Sequence, residues 1–115
     1  MAKIVAVEAG FYRVPLPVVL TDSTHGEMRG FELNTVKLRD ADGAEGVGYT
    51  FTVGRNGGAV DAVLSREFSE ILAGEEADEI ERLWRKGWWL LHYGGRGGPT
   101  VLAMSAVDIA LWCRW

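Results

Sequence analysis

A single cysteine, Cys113, stands among 115 residues. That excludes an internal disulfide framework and a cysteine-rich zinc site. No apolar run approaches the roughly 18–20 residues of a membrane span. Met1-Ala2-Lys3-Ile4-Val5 leads into no long apolar stretch with a small-residue cleavage site, so no signal peptide is expected and the expected compartment is the cytoplasm. An excess of basic charge is also missing: 12 Lys and Arg against 16 Asp and Glu leave a net charge of −4. That balance leaves no footprint for nucleic acid or anionic lipid, and neither partner is expected. His25 and His92 each lack a second ligand at metal spacing, and the EF-hand pattern is absent, so no metal site is expected in this chain. There is no G-x-S-x-G elbow to support a nucleophilic triad.

What is present reads as one small globular domain. The chain is 48% hydrophobic, 24% charged and 10% aromatic, which excludes a disordered or collagen-like polymer. Fifteen glycines imply many loops, and five tryptophans are a heavy apolar load. Each tryptophan calls for about 150–250 Å² of cover.

Strands come first and helices after, the signature of an α+β fold. A strand is expected over Ile4–Val14, with Val5, Val7, Ala9 and Phe11 on one face and Pro15 and Pro17 ending regular pairing. Leu20 to Gly26 is polar and reads as an excursion loop. A second strand is expected over Phe31–Arg39. Its apolar phase changes between Leu33 and Val36, implying a sheet covered on both sides or a bulge near Thr35. Asp40-Ala41-Asp42-Gly43 is a hairpin turn, which explains its paired carboxylates better than catalysis does. A third strand covers Glu45–Thr52. Its Gly46 and Gly48 alternate with Val47, Tyr49 and Phe51, so another backbone could approach the glycine face closely.

Three helices follow. The first, Val60–Leu72, carries the stripe Val60, Leu64, Phe68, Ile71 and Leu72. The second is expected to open on a capping box of Asp78 and Glu81 and to end at Gly94-Gly95. Its Trp84, Trp88 and Trp89 read as core. Glu75, Glu76, Asp78, Glu79 and Glu81 suit a solvated helix start. The third opens at Pro99, and from Val101 to Trp112 only Ser105 and Asp108 are polar. A helix apolar on every side needs cover on every side, more than this small domain can supply. Partner structure is therefore expected, and Asp108 is expected to bond a backbone N–H or one of Arg82, Arg85 and Arg96.

Two segments could face a ligand. Thr21, Asp22, Ser23, Thr24 and His25 can hydrogen-bond a hydroxylated or carboxylate ligand, and equally form an Asx or ST turn. Gly54-Arg55-Asn56-Gly57-Gly58, between a strand and a helix, could cradle an anion, but it lacks P-loop and dinucleotide spacing.

The stretches "VPLPVVLTDSTHG", "FELNTVKLRDADGAEGVGYTFTVG", "ADEIERLW" and above all "LAMSAVDIALW" resemble the N-terminal capping domain of the enolase superfamily, in its mandelate racemase/muconate lactonizing branch. The resemblance spans essentially residues 1–115. It implies a three-stranded antiparallel meander followed by a bundle of about three helices. It also implies a cap that closes over a (β/α)-barrel and contacts substrate through two loops. By position these are Thr21 to Gly26 and Tyr49 to Gly54, giving Thr21, Asp22, Ser23, Thr24, His25, Tyr49, Thr50 and Thr52 as specificity residues. The implied reaction removes a proton α to a carboxylate, with Mg²⁺ in a full-length relative stabilising the enediolate. The polar loop favours an acid-sugar dehydratase or racemase type.

The family's lysine and histidine bases and acidic metal ligands lie on the barrel, and none of those motifs occurs here. Where the family continues Asp-Leu-Lys or similar, this sequence reads Cys113-Arg114-Trp115. The expectation is a cap without its barrel, without catalytic residues or cofactor of its own, and inactive alone. The alternative is a non-catalytic module that self-associates or binds protein through the 101–112 helix.

Overall fold

Alternation along the central strand divides its residues into two sets, and the computed structural model shows where each goes. It describes residues 2–95 and 97–114. Strands β1 (Ile4–Asp22), β2 (Gly26–Asp40) and β3 (Glu45–Thr52) form an antiparallel meander in the order β1-β2-β3. On β2 the residues Glu32, Asn34, Val36, Leu38 and Asp40 are buried, whereas Phe31, Leu33 and Thr35 are only half-buried. The pairing of β2 runs unbroken through Thr35 on both sides, so there is no bulge there. Nor is the sheet covered twice: Val47, Tyr49 and Phe51 on the outer face are all more than half exposed. The phase change marks an inner face packed by helices and an outer face on which Phe31 and Phe51 shield each other, ring centroids 5.3 Å apart.

The first strand is longer than expected. Pairing holds from Ala6↔Arg39 to Pro15↔Gly30, then resumes from Leu20↔Met28 to Asp22↔Gly26, leaving Leu16–Val19 opposite Arg29 alone. Proline is tolerated because β1 is an edge strand, where a missing N–H breaks no second ladder. Val7 and Ala9 pack on the core as expected, but Val5 is 57% exposed. A pairing irregularity between Ile4 and Ala6 turns Ile4 inward in its place. At the second hairpin Asp40 Oδ1 accepts the Asp42 and Ala44 amides at 2.9 and 3.0 Å, and Gly43 supplies a φ of 91°.

The helical layer comprises α1 (Gly57–Ala62), a π-helical turn (Val63–Glu67) and α2 (Phe68–Leu72) as one continuous rod. Then come α3 (Ile80–Leu91), a 3-10 turn (His92–Gly94) and α4 (Pro99–Trp112). The expected stripe of Val60, Leu64, Phe68, Ile71 and Leu72 is buried throughout. Each such side chain contributes about 1.5–3 kcal/mol when fully covered. The capping box does not form. Helix α3 begins at Ile80 without a side-chain cap, because Asp78 turns to the guanidinium of Arg114, which also meets Asp40 Oδ2 at 2.9 Å. Glu75 takes over the junction, accepting Lys86 Nζ at 2.7 Å and pairing with Arg82, so its carboxyl is held below 4.5 by those two cations. Of the tryptophans on α3, Trp88 packs against the core, while Trp84 lies at its edge and Trp89 is 68% exposed.

The glycine face of β3 meets α4. A Cβ on Gly48 would lie 1.8 Å from the Ala106 carbonyl oxygen and one on Gly46 2.0 Å from that of Ala110, both far inside van der Waals contact. Glycines on the strand and alanines on the helix let two backbones touch, as the sequence pattern implies. Ala106 and Ala110 of α4 are buried at this seam, and Ala103, Met104, Val107 and Leu111 are buried in the same layer, Met104, Val107 and Leu111 beside Phe68 and Leu83, but Ile109 and Trp112 are 38% and 66% exposed. The domain covers one side of its most apolar helix and leaves the other partly open.

Candidate functional site

Beyond β3 the sheet narrows to two strands. The ladder between β2 and β3 stops at Glu32↔Thr52, whereas β1 and β2 run on to Asp22↔Gly26. The result is a ribbon whose tip lies about 20 Å further along β2 than Thr52, at about 3.4 Å per residue. Its stem is apolar and uncovered: Val18, Val19 and Leu20 are 66%, 41% and 46% exposed. Its tip is polar, and shorter than the expected loop. Thr21 and Asp22 still belong to β1, and only Ser23, Thr24 and His25 form the turn before Gly26 at φ 71°.

Asp22 organises that tip. One carboxylate oxygen accepts the Thr24 amide at 2.9 Å and also the His25 amide, while the other meets His25 Nδ1 at 2.9 Å. The His25 backbone amide, and then its ring, hold the Asp22 carboxyl below its ordinary 3.8. The tip is an Asx turn with an imidazole clipped to it, and it leaves the hydroxyls of Thr21, Ser23 and Thr24 exposed.

The residues named from β3 part company. Tyr49 stands on the outer sheet face, 56% exposed, and Thr50 is buried on the inner face at 7%. Thr52 donates its hydroxyl to Glu32 Oε1 at 3.0 Å. The same oxygen accepts the Gly57 amide at 3.3 Å, and Asn34 Nδ2 donates to the Gly57 carbonyl at 3.1 Å. Two buried polar side chains of β2 thus fasten the turn that carries Arg55 and Asn56 to the sheet. A carboxylate of the chain itself already sits at the first amide of α1, which removes the reason to read Gly54 to Gly58 as a phosphate cradle.

Between ribbon and turn lies a cavity of about 320 Å³, lined by Arg13, Val14, Pro15, Arg29, Gly30, Phe31, Glu32 and Gly54. Arg29 also reaches Glu27 at 2.7 Å. Sequence reading missed Arg13, Arg29 and Glu32. A signal existed for one of them: Glu32 shares the core-facing phase of Val36 and Leu38, where a charged side chain needs a reason. Among the described residues no group of three or more His, Cys, Asp or Glu is placed to hold a metal ion. These residues do not fit a magnesium site. No described helix is long and apolar enough to cross a membrane.

The fold matches known proteins. The family model for the mandelate racemase/muconate lactonizing enzyme N-terminal domain aligns with residues 3–113. The chain belongs to this family. It is 53% identical over 106 residues to a 3,6-anhydro-alpha-L-galactonate cycloisomerase from Streptomyces coelicolor, covering 92% of this chain and 29% of that protein. A racemase from Streptomyces coelicolor A3(2), solved with bound magnesium, matches with a TM-score of 0.92 and 52% identity over 95% of this chain and 30% of that one. An L-talarate/galactarate dehydratase from Salmonella typhimurium LT2, liganded with Mg and L-lyxarohydroxamate, matches with a TM-score of 0.87 and 28% identity, covering 96% and 29%. The chain therefore spans less than a third of the length of these enolase-superfamily relatives.

Proposed function

We propose that residues 1–115 are the substrate-facing cap of a magnesium-dependent acid-sugar dehydratase, racemase or cycloisomerase. The reaction would remove a proton α to the substrate carboxylate. The bases and metal ligands would come from a barrel domain that these residues do not include, so the chain alone would be inactive. Its own work is recognition and exclusion of water. The tip hydroxyls of Thr21, Ser23 and Thr24 and the imidazole of His25 suit a polyhydroxylated ligand, and the apolar stem suits burial against a neighbouring surface. Arg13 and Arg29, beside the cavity, suit a carboxylate. Thr50, being buried, supports the sheet, and Thr52 acts through Glu32 on the turn at Arg55.

The observation that carries this reading is the ribbon. An exposed polar tip on an exposed apolar stem does nothing for the stability of this chain, yet it is built with an ordered Asx turn. The substrates after which the relatives are named, an anhydrogalactonate and the talarate/galactarate pair, support the substrate class.

The test exchanges the matched region of the Streptomyces cycloisomerase for this chain. Magnesium-dependent turnover is expected from the chimera and none from the chain alone. His25→Ala in the chimera should raise KM, or shift preference among acid sugars, more than it lowers kcat. Turnover by the isolated chain would contradict the proposal. So would a folded chimera inactive on the relative's own substrate and on a panel of hexarates.

A further inference from the structure

A buried acid is costly unless something answers it, and the fold answers its acids unequally. Asp40 anchors the second hairpin with one oxygen and receives Arg114 on the other. Asp108 of α4 lies partly buried in a groove between α3 and α4 with Glu81 and Arg85, where burial pushes its carboxyl above the ordinary 3.8. The partners expected for it from sequence are placed otherwise. Arg82 is engaged by Glu75 and Glu79, Arg85 makes no ion pair with it, and Arg96 lies outside the described residues. Glu32 of β2, 7% exposed, is answered on one oxygen only.

Glu32 Oε1 accepts the Thr52 hydroxyl at 3.0 Å and the Gly57 amide at 3.3 Å. Oε2 has no partner among the described residues. It is not sealed in either, for the fully buried side-chain atoms without a partner are Asn34 Oδ1 and Arg114 Nη1. The surface that Glu32 keeps lies on the wall of the 320 Å³ cavity between ribbon and turn. A carboxylate oxygen only accepts, so what it bonds there is a donor. Water can be that donor, and a ligand hydroxyl can replace the water.

The rest of the wall fixes the kind of ligand. Arg13 stands directly across from Glu32 in the β1–β2 register, is exposed, and pairs with no acid among the described residues. Arg29 is already paired with Glu27 at 2.7 Å. An ammonium group would meet the two arginines as like charges, and a bare carboxylate would meet Glu32 as one. A group that carries hydroxyl and carboxylate together satisfies both signs. We infer that Glu32 is a ligand-binding residue, whose Oε2 accepts a hydroxyl of a polyhydroxylated acid while a carboxylate of that acid lies at Arg13. This rests on the capping-domain reading and deepens it, because it moves recognition from the exposed tip to a side chain fixed in the sheet. The bonds to Thr52 and Gly57 hold that side chain in one position.

The test compares D-glucarate with adipate, a diacid of the same carbon-chain length without hydroxyls. In the isolated chain, millimolar glucarate is expected to shift the amide resonances of Arg13, Glu32 and Gly57, and adipate to shift them several-fold less. Glu32→Gln keeps an oxygen for Thr52 and Gly57 but turns an amide NH2 to the cavity, and should bring the two acids level. Arg13→Gln, at an exposed position, should weaken the response to both acids alike. Equal responses to the two acids in the parent would overturn the inference. So would a preference for glucarate that survives in Glu32→Gln, or responses untouched by Arg13→Gln, since Glu32 would then only fasten the turn. Where neither acid moves the isolated chain, the chimera with the Streptomyces relative decides. There Glu32→Gln should raise KM for the relative's own substrate about tenfold with kcat within about threefold, whereas Thr52→Val, which spares Oε2, should raise KM less. An unchanged KM in an active chimera overturns the Glu32 site and leaves the capping-domain reading standing. A folded but inactive chimera contradicts the capping-domain reading, while glucarate-specific shifts in the isolated chain would still uphold the site. A chain silent to both acids, with no active chimera, contradicts both.

Discussion

The seam between β3 and α4 and the ribbon beyond it are built from the same meander, yet they are finished differently. At the seam, Gly46 and Gly48 meet the carbonyls of Ala110 and Ala106, and Val36 and Leu38 alongside are fully buried. In the ribbon, Val14, Val18, Val19 and Leu20 are at least 40% exposed, although they are as apolar. The difference is the presence of a third strand and a helix to close the face. Stability resides where three strands and α4 come together. The ribbon contributes surface, and the apolar surface it leaves uncovered is the kind that a partner buries.

Substitutions can sharpen this contrast. The largest effect is expected at the seam. Gly48→Ala places a methyl group against a helix backbone that cannot retreat, and should cost about 3 kcal/mol in denaturant unfolding. A loss below about 1 kcal/mol would mean that α4 is free to shift, and that the close approach is not what holds the two layers.

A smaller effect belongs to the junction of α2 and α3. Glu75→Gln breaks the pair with Lys86 and Arg82 and should cost about 1 kcal/mol at neutral pH, the size of a partly shielded ion pair. The carboxyl of Glu75 is held below its unfolded value of 4.5, so its contribution is present above that pH and is lost as pH falls through the lower folded value. The parent and Glu75→Gln should therefore converge in acid. Asp108 has the opposite sign. Its folded carboxyl lies above 3.8, so the isolated chain loses stability as pH rises through that interval, with Glu81 and Arg85 the charged groups lining its groove. Asp108→Asn should flatten that slope.

The smallest effects are expected in the ribbon. Val18→Ser should leave unfolding free energy within about 0.5 kcal/mol of the parent in denaturant unfolding. At the tip, Asp22→Asn should speed hydrogen exchange at the Thr24 and His25 amides without moving the global transition. In the parent the same loosening should appear only as pH falls through the depressed Asp22 value, below 3.8.

Much of the fold was legible because periodicity and glycine placement are local signals. The helix stripe from Val60 to Leu72, the Pro99 start of α4 and the glycine face of β3 could each be read from a few neighbouring residues. What escaped was set by distant partners. Pro15 and Pro17 look like strand ends until β1 is known to be an edge. Asp78 looks like a helix cap until Arg114 reaches it from the far end of the chain. Glu32 stands out as a charge in the core-facing phase of β2, but its partner is hidden until Gly57 folds back onto it. The tip from Thr21 to His25 was visible as polar residues between apolar ones, but the length of the ribbon carrying it depends on cross-strand pairing that composition does not reveal.

Amide hydrogen exchange on the ribbon, residue by residue, in the isolated chain and in its fusion to the rest of the Streptomyces relative, tests the contrast most directly. Amides of β2 from Asn34 to Leu38 should exchange slowly in both. Amides from Val18 to Arg29 should exchange quickly in the isolated chain and become protected in the fusion. A ribbon equally protected in both would contradict the reading of this chain as a cap whose hairpin is held by another domain.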